Sequence, residues 1–243
     1  MQKVVYWKSR DMAAHYDLLR DYSSEASGYF GSIRIPATLI AGSSLGALFT
    51  FSGVQLENKS AAELLILRLY HAFVLTSFAL ALSTIIISTS ATITMLHGRF
   101  DARAETAYEL LRREFDFEFS ITRWTYLVAL ISFIAGVNNR VILEFNLLGK
   151  DRRFHLLALV STMVSIATNM LSYINRTLYC WPNLWHLTIH VMKLFFYEAL
   201  SEGNALQTIS LLSGVVALLA MAKVTLFTVY DCQADRKTEK KIS

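Results

Sequence analysis

The chain reads as all-α, a multi-pass transmembrane helical bundle of four to six membrane helices with amphipathic helices at its surface. The first support is Leu64 to Leu96, where no formal charge falls after Arg68. At about 33 residues it is longer than the roughly 20 that cross the hydrocarbon layer. The second is composition: 54% of residues are hydrophobic and only 17% charged, below the usual quarter for soluble domains. The third is punctuation. Two prolines and ten glycines in 243 residues leave little turn chemistry for an all-β fold.

Met1 to Arg34 mixes Lys3, Lys8, Arg10 and Arg20 with Asp11, Asp17, Asp21 and Glu25. It lacks the basic-then-apolar pattern of a signal peptide. Residues 1–34 are expected to form a cytosolic amphipathic segment, with Val4, Met12, Tyr16 and Leu19 dipping into the interface. Residues 35–230 then make a single transmembrane helical domain, and residues 231–243 a basic cytosolic tail.

The first span is placed at Ile35 to Val54, with Pro36 at its start, where a missing N–H does little harm. Gly42 and Gly46 make a GxxxG step within Gly42-Ser43-Ser44-Leu45-Gly46. Such a step lets another helix approach closely, in the same chain or in a second copy. Gln55 to Glu63 is a polar connection in which Asn58-Lys59-Ser60 fits the glycosylation pattern.

The long apolar run is the spine. Ser77, Ala81, Thr84, Ser88 and Thr92 recur at helical spacing along one side. Two accounts are open: a packing seam of small and hydroxyl residues, or a wet pathway lined by hydroxyls. Ser and Thr can satisfy themselves on the carbonyl one turn back, which favours the seam.

Residues 98–122 alternate Arg103, Arg112 and Arg113 with Glu105, Glu109 and Glu114. The spacing predicts a cytosolic amphipathic helix laced by ion pairs. Leu110, Leu111, Phe115 and Phe119 supply its apolar side. Trp124 to Leu148 either crosses the bilayer or ends at Gly136 and returns along the surface. Asn138, Asn139, Arg140 and Glu144 are its intramembrane polar groups. Such groups are functional candidates because hydrocarbon penalises them. Arg140 and Glu144 sit one turn apart and are expected to pair near one edge.

Phe154 to Ile174 is a further apolar helix. Tyr173, Tyr179, Trp181, Trp185 and Tyr197 crowd residues 175–204, as expected of an interfacial aromatic segment. Leu206 to Tyr230 reads as the last span, with Lys223 near its end. An even number of crossings separates Lys and Arg better than five does, placing both termini in the cytosol.

His186 and His190 lie one turn apart, a metal-ligand spacing. The zincin glutamate is absent and no second histidine box follows, so no cofactor is expected. No nucleophile–base pattern or phosphate loop is present. The net charge of +4 is spread without a basic stripe, which gives nucleic-acid binding no footing.

Two function classes remain. One is a channel- or transporter-like protein acting as a homo-oligomer, supported by the GxxxG step, the hydroxylated spine and the basic mouth at Arg34. Val54-Gln55-Leu56-Glu57, and Phe78-Ala79-Leu80 with Ser83-Thr84, resemble the corresponding spans of the Orai calcium-channel family. The resemblance implies ion conduction by an oligomer. The family's ring glutamate has no counterpart, because Ser52-Gly53 occupies that region. The other class is a non-catalytic accessory subunit of a larger membrane complex, recruited through other membrane proteins and the lipid bilayer. A metal- or haem-binding membrane protein is third.

Overall fold

The computed structural model describes residues 19–49, 61–98, 100–147, 153–176 and 181–201, with short pieces at 209, 212–216, 219–220 and 223. In chain order the elements are β1 (Arg20–Asp21), α1 (Ser23–Phe49), α2 (Ala61–Leu96), β2 (Arg103–Ala104), α3 (Ala107–Glu114), α4 (Asp116–Leu147), α5 (Arg153–Arg176) and α6 (Leu184–Ser201). Among the described residues four helical stretches are long and apolar enough to cross a membrane: Ser23–Phe49, Glu63–Leu96, Asp116–Glu144 and Phe154–Arg176. The fold is an all-α bundle, and the spine is central to it. α2 packs along α4 on one side and α1 on the other, while α5 and α6 rest on α4.

α1 begins earlier than the hydropathy alone implies. Asp21 accepts the backbone N–H of Ser23 at 2.8 Å, which caps the helix start. Residues 23–34 therefore join the first span instead of forming a separate surface segment. Pro36 lies in the helix interior, not at its start. Packing sustains the longer helix: Ala26 and Phe30 are fully buried one turn apart.

α2 ends at Gly98, whose φ of 62° is the left-handed conformation that suits glycine at a helix terminus. Residues 98–122 are not one amphipathic helix. They form a turn, the strand β2, the short helix α3 and the first turns of α4. β2 pairs antiparallel with β1, Arg20 opposite Ala104 and Asp21 opposite Arg103. Thr106 caps α3 by accepting the Glu109 N–H at 3.1 Å, and Glu109 reaches back to the Glu105 N–H at 3.1 Å. Arg113 donates to the carbonyls of Asp101 at 2.6 Å and Arg103 at 3.2 Å. That clamp holds α3 against the ladder and makes one end of the bundle a folded platform.

The core is arranged along the bundle axis. At the platform end Phe30, Met95, Leu110, Leu111 and Phe119 cluster. At mid-height Ile40 and Ala41 meet Ala81 and Ala129. At the far end Leu67, Tyr70 and Val74 meet Leu143. α4 runs unbroken through Gly136, so the account in which it ends there and turns back is overturned. A Cβ at Gly136 would stand 2.9 Å from the Val74 side chain. Glycine is there for close approach to α2, not to stop a helix.

Large apolar side chains face outward on several helices, among them Ile35, Leu39, Leu75, Ile86, Phe154 and Leu157. None of the apolar window of α5 is buried. An apolar exterior of this extent fits hydrocarbon as the surrounding solvent.

Candidate functional site

The polar residues of the three-helix core form a column between α1, α2 and α4. Ser77, Thr84 and Ser88 are fully buried on one face of α2, as is Ser44 on α1. At mid-height Ser44 donates to Ser77 Oγ at 3.1 Å, and Ser77 donates to the carbonyl of Ala129 at 2.9 Å. One hydroxyl thus ties three helices. Nearer the platform, Thr84 and Thr125 face each other at 2.8 Å, and each hydroxyl also reaches a carbonyl of its own helix. Ser88 bonds the carbonyl of Ile85 at 3.0 Å. Each of these five hydroxyls has a protein partner, as a packing seam requires.

The column ends in charged groups. Towards the platform, Arg34 of α1 donates through Nη2 to Thr92 Oγ1 at 3.0 Å, and Thr92 donates to the carbonyl of Ser88 at 2.8 Å. Arg34 Nε is buried without a hydrogen-bond partner, an arrangement that costs free energy inside a bundle. At the far end Arg140 Nε and Glu144 Oε1 pair at 3.1 Å, as their one-turn spacing predicts. Tyr70 donates to the carbonyl of Ala47 at 2.6 Å. These groups border a cleft of about 430 Å³ between α1, α2 and α4, walled by Ser43, Gly46, Val74, Phe133 and Val137.

Gly42 and Gly46 do not build the seam. A Cβ at either position would meet nothing within 4 Å. The buried line of α1 is Ala37, Ile40, Ala41 and Ser44, offset from the glycines around the helix. The seam residues of α2 (Ser77, Thr84, Ser88) are brought together with Ser44 and Thr125, which the sequence reading did not single out. Their signal was periodicity: Ala37, Ala41 and Ser44 carry small side chains at helical spacing. Asn138 lines a smaller groove of about 170 Å³ between α4 and α5, its Oδ1 buried without a partner. Asn139 is only partly buried on α4.

His186 and His190 have different partners. His186 Nδ1 lies 2.8 Å from Asn183 Oδ1, whereas His190 Nε2 lies 3.1 Å from Asp116 Oδ2. Among the described residues no group of three or more His, Cys, Asp or Glu could hold a metal ion. The His190 contact instead docks α6 on the first turn of α4, beside a Trp124 Nε1 bond to Thr188 Oγ1 at 3.1 Å and a stack of Trp181 on Phe119.

Outside the apolar helices, at the platform, the Asp21 carboxyl is held below the usual aspartate range. The Ser23 N–H bond is the main cause and the nearby Arg103 charge adds to it.

Fold and seam together define a helical bundle of membrane-spanning type, organised on hydroxyls shared among three helices. Compared with known proteins, the chain matches no family model, no curated relative and no solved structure.

Proposed function

We propose that the protein is a channel- or transporter-like membrane subunit that works as a homo-oligomer, with α1 directed towards the shared axis. The observation that carries this reading is the division of polar and small residues on α1. Ser44 is consumed in the seam, while Gly42 is open on the exterior and Gly46 borders the far-end cleft. The hydroxyls of the seam are taken up by protein partners, and in this reading the solute path forms between copies. Small residues on a hydrocarbon-facing surface permit that contact. Arg34 supplies positive charge near the platform end, and the platform and both termini lie in the cytosol. The transported species is not specified by these residues.

Cysteines at Gly42 and Gly46 test the reading in membranes carrying the chain with Cys180 and Cys232 replaced by serine. Oxidation gives disulfide-linked dimers at one or both positions, and the protein in mild detergent has a single multiple of its monomer mass. A monomer without cross-links, recovered with other membrane proteins, refutes the proposal and favours an accessory subunit. That second reading draws on the platform, where β1, β2 and α3 form a folded surface apart from the spans.

A further inference from the structure

The cleft at the far end of the seam is polar at one end and apolar along its length, and its dimensions match a particular kind of occupant. The Ser77–Ala129 bond joins residues near the middle of their two candidate spans, Glu63–Leu96 and Asp116–Glu144. From Ala129 to Arg140 the helical rise gives roughly 16 Å. That is about half the thickness of a bilayer's hydrocarbon core. Arg140 and Glu144 therefore stand where the acyl region gives way to headgroups. Below them the cleft continues past Val137 and Phe133 towards mid-membrane, with Val74 and Gly46 opposite. Its volume of about 430 Å³ falls in the range of built ligand pockets, roughly 300–1,000 Å³.

We propose that this cleft binds one zwitterionic glycerophospholipid of the leaflet opposite the platform. Its phosphate meets Arg140, its ammonium group meets Glu144, and the upper part of one acyl chain lies along Val137 and Phe133. The charge arrangement selects the class. An acid and a base one turn apart, with side chains 34% and 48% exposed, present both signs together at the cleft mouth. A guanidinium has five donors in a fixed fork suited to phosphate oxygens, and its Nε bond to Glu144 leaves the fork orientation fixed. A carboxylate beside it repels a purely anionic headgroup and attracts a cationic one. A neutral amphiphile has no use for either charge, and an anionic lipid meets Glu144 as a penalty.

Gly46 gives the proposal a clean test, because a side chain added there meets no protein atom within 4 Å and instead enters the cleft. The inference rests on the membrane-bundle reading but not on conduction or oligomer formation. Native mass spectrometry separates the two, since subunit number and lipid adducts are read from the same spectrum. The protein is purified in mild detergent and offered equal amounts of a phosphatidylcholine, a phosphatidylglycerol and a diacylglycerol of matched chains. The expected result is one phosphatidylcholine per subunit, retained at least fivefold over the other two. Gly46→Leu lowers that retention about tenfold with the Arg140–Glu144 pair untouched. Arg140→Gln and Glu144→Gln each lower it severalfold, and a thermal midpoint for each variant reports that the bundle is intact. Where a charge variant does not fold, Gly46→Leu decides alone. Equal retention of all three lipids overturns the proposal, as does preference for phosphatidylglycerol or undiminished phosphatidylcholine on Gly46→Leu. A lipid-free oligomer, with a second copy filling the cleft, overturns it too while leaving the proposed function standing.

Discussion

Ser44 and Ser77, on different helices, share a fully buried hydrogen bond of 3.1 Å at mid-height in the bundle. Because Ser77 donates onward to the carbonyl of Ala129, one small side chain joins α1, α2 and α4. Hydroxyl bonds between membrane helices are worth about 0.5–1.7 kcal/mol in measured cases. Ser77→Ala is expected to cost about 1–2 kcal/mol, since it removes two bonds and strands the Ser44 proton. Ser44→Ala is expected to cost less. A double-mutant cycle on the thermal midpoint in detergent checks this: the double variant should be less destabilised than the two singles added together.

The contact between Gly136 and Val74 yields a second expectation. Gly136→Ala places a methyl 2.9 Å from the Val74 side chain, and overpacking of this kind costs about 1–3 kcal/mol. Val74→Ala opens space for that methyl. The pair of substitutions should therefore recover part of the loss, whereas Val74→Ala alone should destabilise. Unfolding in a graded detergent mixture reads the difference, and simple additivity would count against a direct contact.

The docking of α6 on α4 rests on a small set of contacts that can be removed one at a time. His190→Ala and Asp116→Ala should each loosen α6 by about 0.5–1.5 kcal/mol, the usual net worth of one such hydrogen bond. The double variant should be little worse than either. Hydrogen exchange over residues 184–195 should accelerate by severalfold in all three, while exchange in α2 stays at the wild-type rate. Acceleration throughout the protein would mean that the pair supports the whole bundle.

At the platform, the depressed Asp21 carboxyl sets a pH dependence whose sign follows from linkage. A carboxylate whose folded value lies below its unfolded value adds stability above the unfolded value and loses it as pH falls through the folded one. The Asp21 contribution is therefore present at neutral pH and fades below the ordinary aspartate range. The Ser23 amide should exchange faster in acid than its chemical rate predicts. In Asp21→Asn that acid-induced change should disappear.

Much of the architecture was legible because hydrocarbon imposes a coarse rule that a sequence displays directly. Uninterrupted apolar length predicted α2 and α5, and one-turn spacing predicted the Arg140–Glu144 pair. The periodicity of Ser77, Ala81, Thr84 and Ser88 marked a buried face before any neighbour was known. Boundaries were less legible. Asp21 starts α1 well before hydropathy rises, and Thr106 starts a separate short helix where charge alternation implied a longer one. A cap is a local hydrogen bond, invisible to an average over apolar residues. The span proposed at Leu206 to Tyr230 and the tail fall mostly outside the described residues.

The sequence by itself determined that this chain is helical and apolar in long stretches, because those properties follow from the side chains' own transfer energies and backbone preferences. Only the tertiary structure decided which small residues face one another. It chose Ala37, Ala41 and Ser44 for the seam over Gly42 and Gly46, and gave His186 and His190 separate partners. The reason is geometric. Periodicity fixes which residues share a face, but the rotation of one helix against the next decides which face is covered, and that rotation is settled by the packing of all three helices at once.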